Sequence, residues 1–145
     1  MPALTKERRN MRTLLIAGAL AVAVSFIPRP AMAAMCGPSK DVFDVENGTI
    51  YFFNSSLHKG SKKINKTYIM AVVVLGTYAQ VDISYAGQMS DFWIKKGGSW
   101  MLVGPQMPKG WPAAIRAKLT AMSNARANGS KQCTNPGFVP RGSGG

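Results

Sequence analysis

The side chains that most often perform catalysis or bind metals are scarce in this chain. Its 145 residues include one histidine, His58, and two cysteines, Cys36 and Cys133. A single imidazole excludes a zinc site built from several histidines, and two thiols exclude a four-cysteine zinc ribbon. We therefore expect neither a metal site nor a cofactor.

Carboxylates offer a second kind of chemistry at two places in the chain. Asp41, Asp44 and Glu46 lie close together but lack the alternating oxygen ligands and central glycine of a calcium loop, so we interpret them as surface charges that face lysines. Asp82 and Asp91 are the acid and base pair that an enzyme would need. The sequence sets no distance between them, and we expect no catalytic residue.

Residues 1–33 have the organisation of a bacterial secretory signal peptide. Arginines precede an uncharged apolar run over residues 14–27, and Ala31-Met32-Ala33 fits the A-x-A rule of the processing site. The run is shorter than the roughly 20 apolar residues of a membrane-spanning helix. We predict cleavage after Ala33, a periplasmic or secreted protein, and no transmembrane segment in the mature chain. The alternative is an uncleaved N-terminal anchor.

Export determines the interpretation of the two cysteines. An oxidising compartment favours a disulfide, and Cys36 and Cys133 are each other's only possible partners within the chain. We predict that this bond joins the two ends of the mature domain. The alternative is two free thiols.

The chain is strongly basic, with a formal net charge of +12. The positive charge is concentrated in one short segment, where Lys59, Lys62, Lys63 and Lys66 fall within eight positions. An anionic polymer or lipid surface would attract such a segment, whereas the alternative is a solvated loop that keeps a secreted protein in solution. The segment has no arginine forks and no interleaved aromatic residues, so we expect no sequence-specific binding of nucleic acid.

The middle of the chain has the pattern of β-strands, which would position Asp82 and Asp91. Residues 67–75 are apolar on both faces and rich in β-branched side chains, which predicts a central strand covered on two sides. Residues 78–85 alternate, with Asp82 on the wetter face. Turns at 86–90 and 96–98 separate two further strands, so the pattern predicts an antiparallel meander of about four strands.

A change of period after Pro108 predicts a C-terminal helix. Its apolar face consists of Trp111, Ile115, Leu119 and Met122, at helical spacings. Arg116, Lys118 and Arg126 are expected elsewhere on the helical wheel.

The predicted fold class is α+β, with the meander covered by the C-terminal helix and the ends joined by the disulfide. Residues 36–48 are mixed and typical of turns, and residues 50–53 are compatible with a strand or a buried turn. We predict a single domain over residues 34–133, followed by a disordered tail over residues 134–145 that is rich in Pro, Gly and Ser.

The sheet segment carries a resemblance to a known class of proteins. Residues Gly76–Val81, the pair Phe92-Trp93 and the stretch Lys95–Val103 resemble the sheet hairpins of small secreted bacterial proteins of the NTF2-like or cystatin-like kind. In those hairpins a strand ends in a charged glycine turn and resumes with a tryptophan. The resemblance covers residues 76–103 and carries no catalytic residue, because this chain has no matching acid and base positions.

These observations leave three hypotheses about function. The first is a small, non-catalytic, exported interaction module whose sheet and basic loop bind an envelope or secreted protein. The second is an electrostatic binder of an anionic polymer or membrane surface, and the third is an enzyme that uses a carboxylate pair. Salt discriminates the first two, because binding to a polyanion through lysines weakens steeply as salt rises.

Overall fold

The structure, a computed structural model, describes residues 34–141. The predicted signal peptide, including its cleavage site after Ala33, lies outside the described residues. Two helices flank four consecutive strands along the chain, and a short 3₁₀ turn precedes the first strand. The elements are α1 (Lys40–Ser55), the 3₁₀ turn (Lys66–Tyr68), β1 (Ile69–Leu75), β2 (Tyr78–Ser84), β3 (Gln88–Lys96), β4 (Ser99–Gly104) and α2 (Ala113–Ala127).

The four strands form one antiparallel sheet in the order β1-β2-β3-β4, as the meander pattern predicts. The turn between β3 and β4 consists of Gly97 and Gly98, whose φ angles are +57° and +79°. Both values lie in the left-handed region that glycine tolerates, and they give the tight turn that matches the twist of a hairpin. The predicted fold class is therefore confirmed for the sheet.

The two helices pack on opposite faces of the sheet. Successive side chains of a strand point to opposite sides, so Val81 and Ile83 of β2 join a core cluster with Val45 of α1, whereas Tyr78 packs in a second cluster with Leu119 of α2. The C-terminal helix covers one face of the sheet, as predicted. Its four predicted apolar residues are buried: Trp111, Ile115, Leu119 and Met122.

Helix α1 corrects the sequence interpretation of residues 36–53. The sequence predicts turns over residues 36–48 and a strand or buried turn over residues 50–53, but residues 40–55 form a 16-residue helix. The Ser39 hydroxyl caps its first turn by accepting a hydrogen bond from the Val42 amide. The local sequence Asn47-Gly48 is typical of a turn. Gly48 is needed for packing, because a Cβ at this position would lie 2.7 Å from the Trp93 ring. Tertiary contact therefore overrides the local signal.

Strand β1 lies at one end of the sheet, whereas the sequence predicts a central strand. The apolar pattern that predicts a central strand is explained by helices on both faces and by two further segments, around Met35 and over residues 134–139, along the outer edge. Met35 exchanges two backbone hydrogen bonds with Val74, at 2.8 and 3.0 Å, and the amides of Asn135 and Val139 donate to carbonyls of residues 70 and 67.

The disulfide between Cys36 and Cys133 is present and joins the two segments that cover β1. Its Cα atoms are 4.8 Å apart across a sequence separation of 97 residues. The sequence predicts a disordered tail over residues 134–145, and the structure describes residues 134–141 of it. That part of the tail lies along β1, and Arg141 places its guanidinium 3.3 Å from the ring centroid of Tyr68.

Candidate interaction surface

The outer edge of β4 differs from that of β1, because no backbone group within residues 34–141 pairs with it. The Lys95 amide donates to the Thr77 carbonyl on the β2 side, at 2.8 Å. Lys95 and its β4 partner Trp100 therefore form a non-hydrogen-bonded pair, since hydrogen-bonded and non-hydrogen-bonded pairs alternate along an antiparallel ladder. By the same alternation, the amides and carbonyls of Trp100 and Leu102 point outward.

The side chains of β4 are uncharged and largely apolar. Met101, Leu102 and Val103 are 53%, 37% and 42% exposed, which is unusual for three consecutive apolar residues of a strand. Pro105 follows the strand directly and, having no amide hydrogen, limits the length of the edge. The β4 edge, meaning residues 99–104, is therefore a short and open pairing surface.

Helix α1 supplies a rim beside this edge. Phe52, which is 46% exposed, has its ring centroid 5.9 Å from that of the buried Trp93. Trp93 in turn is the cross-strand partner of Leu102. The exposed Phe52 ring and the β4 edge are therefore connected through one buried tryptophan, whose indole N–H donates to the Thr49 hydroxyl at 3.0 Å.

Asp41 attaches the start of α1 to the β3–β4 hairpin. Its Oδ1 accepts hydrogen bonds from Lys95 Nζ at 2.8 Å and from Trp100 Nε1 at 2.9 Å. These two hydrogen bonds, that from Lys95 first, hold the pKa of the Asp41 carboxyl below its usual value. The three carboxylates of α1 thus have separate partners, because Asp44 pairs with Lys40, and Glu46 accepts from Asn135.

The four predicted lysines lie in and after the loop that follows α1, and the structure separates one from the other three. Lys59, Lys62 and Lys63 are exposed and have no ion pair within residues 34–141, whereas Lys66 lies 3.6 Å from a Glu46 oxygen. Lys66 Nζ also lies 5.0 Å from the Phe43 ring centroid. An external anion would therefore meet three uncompensated lysines.

The structure does not bring Asp82 and Asp91 together. Asp82 is fully buried under α2, where it pairs with Arg126 and accepts a hydrogen bond from Ser90 at 2.8 Å. Because Asp91 follows Ser90 on the same strand, its side chain points to the opposite face of the sheet. The two carboxylates cannot act on one substrate from opposite faces.

The pair of Asp82 and Arg126 also corrects two sequence interpretations. The face of β2 that alternation marks as wetter is buried, and Arg126, expected outside the apolar face of α2, has a side chain only 4% exposed. Arg126 falls four residues after Met122, so it continues the inward face by one turn. Gln80 Nε2 completes the network by donating to Asp82 and to Ser123, each at 2.8 Å.

No helix among the described residues is long and apolar enough to cross a membrane, and no three of their His, Cys, Asp and Glu side chains form a group that could hold a metal ion. Comparison with known proteins finds no family model, no curated protein and no solved structure that matches this chain. The resemblance to NTF2-like or cystatin-like proteins remains a prediction.

Proposed function

We propose that this chain is an exported, non-catalytic interaction module that binds a protein of the envelope or the medium by adding an extended segment of that protein to the β4 edge. The observation that carries the proposal is the asymmetry of the sheet. Segments around Met35 and over residues 134–139 cover the β1 edge, whereas the β4 edge presents backbone groups that are unpaired within residues 34–141 and three exposed apolar side chains.

An open strand edge is a template for pairing, and proteins usually protect it with charges, prolines or a covering segment. β4 carries no charge within its six residues, and only the proline that follows it limits pairing. Strand addition uses main-chain hydrogen bonds for affinity and alternate side chains for specificity. The outward groups of Trp100 and Leu102 would supply the hydrogen bonds.

The side-chain preferences of the partner follow from the two faces of β4. Leu102 shares its face with Trp93 and the α1 helix, and Met101 shares the other face with Ile94. We therefore expect the added segment to be short, uncharged over its centre, and apolar at the positions opposite Met101 and Leu102. Export is supported by the disulfide, which persists in oxidising compartments.

The test uses Leu102→Pro and its matched control Leu102→Ala. Both variants remove the apolar side chain, but only proline also removes the outward amide hydrogen, which the β3–β4 ladder does not use. We expect the exported wild-type protein to capture an envelope protein. Leu102→Ala should capture the same protein at reduced yield, and Leu102→Pro should not capture it. Thermal unfolding should confirm that both variants fold.

Salt provides the second criterion. Capture through a packed strand edge should change less than about threefold between roughly 0.05 and 0.5 M salt, because the β4 edge carries no charge. A folded Leu102→Pro variant that captures as well as Leu102→Ala would contradict the proposal. Capture that disappears at high salt would favour the electrostatic binder instead.

A further inference from the structure

We propose that the loop after α1, together with the exposed ring of Tyr51, forms a surface that binds the anionic phospholipid headgroups of a bilayer. The surface, here called the lysine loop surface, consists of Tyr51, Lys59, Lys62 and Lys63. It does not include the β4 edge and does not depend on the function proposed above.

Asn54 brings the loop against the end of α1. Its side-chain amide donates to the Ile64 carbonyl at 3.0 Å, and its side-chain oxygen accepts from the Ile64 amide at 2.8 Å. Tyr51 precedes Asn54 by three residues, so the two side chains share one side of the helix. These two hydrogen bonds place the backbone of Ile64 against the side of α1 that carries Asn54, and Lys63, which directly precedes the buried Ile64, is exposed.

The charge of this surface is uncompensated. Lys59, Lys62 and Lys63 are exposed and have no ion pair among the described residues, while Glu46 lies beside Lys66 instead. Each lysine close to an anionic bilayer contributes about 1 kcal/mol to binding, which corresponds to roughly fivefold in affinity. Three such lysines would strengthen binding by about 100-fold.

Tyr51 favours a bilayer over a polymeric anion. Its side chain is 67% exposed on the last turns of α1, and its ring packs edge to face with Phe52, with centroids 5.4 Å apart. A tyrosine has an apolar body and a polar tip, which suits the boundary between headgroups and acyl chains. Lysines extend their apolar stems along such a boundary while their ammonium groups remain at the phosphates.

The test measures co-sedimentation of the exported protein with vesicles. Wild-type protein should bind vesicles of phosphatidylglycerol mixed with phosphatidylcholine and should not bind phosphatidylcholine alone. The triple variant Lys59→Gln, Lys62→Gln, Lys63→Gln should lose about 100-fold in affinity. The single variant Tyr51→Ser should lose about 3-fold to 10-fold, because the ring contributes apolar contact and no charge.

A second triple variant, Lys96→Gln, Lys109→Gln, Lys131→Gln, is the matched control. It removes the same net charge from exposed lysines that lie outside this loop, so its affinity should fall less than about 3-fold. Equal losses in the two triple variants would show attraction by net charge only and would overturn the proposal. Retention on heparin without vesicle binding would also overturn it, since the loop would then serve a polymeric anion.

Discussion

The two edge strands of the sheet, β1 and β4, differ in whether other described segments pair with their outer edges. Two segments, around Met35 and over residues 134–139, pair with the outer edge of β1 and are joined by the disulfide between Cys36 and Cys133. No segment within residues 34–141 pairs with the outer edge of β4, although Met101, Leu102 and Val103 are exposed there.

In this small domain the covered edge of β1 contributes to stability, whereas we propose that the edge of β4 contributes to recognition. Unpaired edges invite association, and a chain of this size can protect an edge only by devoting sequence to it. At β1 the covering segments turn an edge strand into a strand buried on all sides. At β4 no group within residues 34–141 pairs with the outward amides and carbonyls. The predictions below test the two edges from the largest expected effect to the smallest.

The largest effect should follow from breaking the disulfide. Closing a loop of 97 residues contributes about 4 to 5 kcal/mol in the chain-entropy model. Reduction should lower the melting temperature by well over about 10 °C, at about 4 to 8 °C per kcal/mol for a domain of this size. A calorimetric scan with and without reductant measures this shift.

The two edges should respond differently to mild reduction. The amide of Val74 donates to Met35 across the covered edge, so its hydrogen exchange should accelerate before that of Met101, which pairs with Ile94 inside the sheet. A melting curve indifferent to reductant, or equal acceleration at both edges, would show that the disulfide does not hold the covered edge closed.

A somewhat smaller effect is expected from Arg126→Met, which leaves Asp82 buried without its charge partner. Removing one member of a buried ion pair usually destabilises a protein by about 3 to 5 kcal/mol. The pair fixes α2, and α2 leads directly to Cys133, so the covered edge should loosen as well. Chemical denaturation of the variant measures the loss.

The double variant Asp82→Asn, Arg126→Met is the control for this prediction. Asparagine at position 82 needs no positive partner, and its side-chain oxygen can still accept from Ser90. The double variant should therefore recover part of the stability that Arg126→Met loses. If it is less stable than the single variant, the pair does not act as a unit, and its contribution comes from packing of the two side chains.

Much of the fold was predictable from local pattern. The alternation in β2, the Gly97-Gly98 turn and the apolar spacing from Trp111 to Met122 each depend on residues close in sequence. These signals gave the antiparallel meander and its C-terminal helix. The disulfide was predictable for a different reason, because each cysteine had one possible partner.

The remaining features depend on contacts between distant segments. Helix α1 was missed because Asn47-Gly48 indicates a turn locally. Position 48 is glycine because a larger residue would contact the ring of Trp93, which lies 45 positions later in the sequence. The partnership of Asp82 and Arg126 spans 44 residues and has no periodic signal. The β4 edge was missed because an apolar run predicts a strand without telling which of its edges is covered. The uncharged stretch between Gly98 and Pro105 was the one available signal.

The smallest expected effect concerns the carboxylate by which α1 holds the β3–β4 hairpin. Hydrogen bonds from Lys95 and Trp100 lower the pKa of Asp41, so the ionised form is favoured in the folded state. An acid with a lowered pKa contributes stability above its unfolded value, near pH 4, and loses that contribution as the pH falls through the folded value. Asp41→Asn should therefore reduce stability by about 1 kcal/mol at neutral pH and remove part of its decline in acid.

Asp91 on β3 provides a control of opposite sign for the Asp41 prediction. Burial raises the pKa of Asp91, so its charged form is disfavoured in the fold, and protonation as the pH falls is stabilising. Asp91→Asn should therefore be more stable than the wild type at neutral pH, and the difference should vanish in acid. Hydrogen exchange at Met101 should accelerate in Asp41→Asn while exchange at Val74 stays unchanged, because Asp41 accepts hydrogen bonds from Lys95 of β3 and Trp100 of β4. Equal acceleration at both positions would mean that α1 stabilises the sheet as a whole and that its carboxylate does not act on one edge.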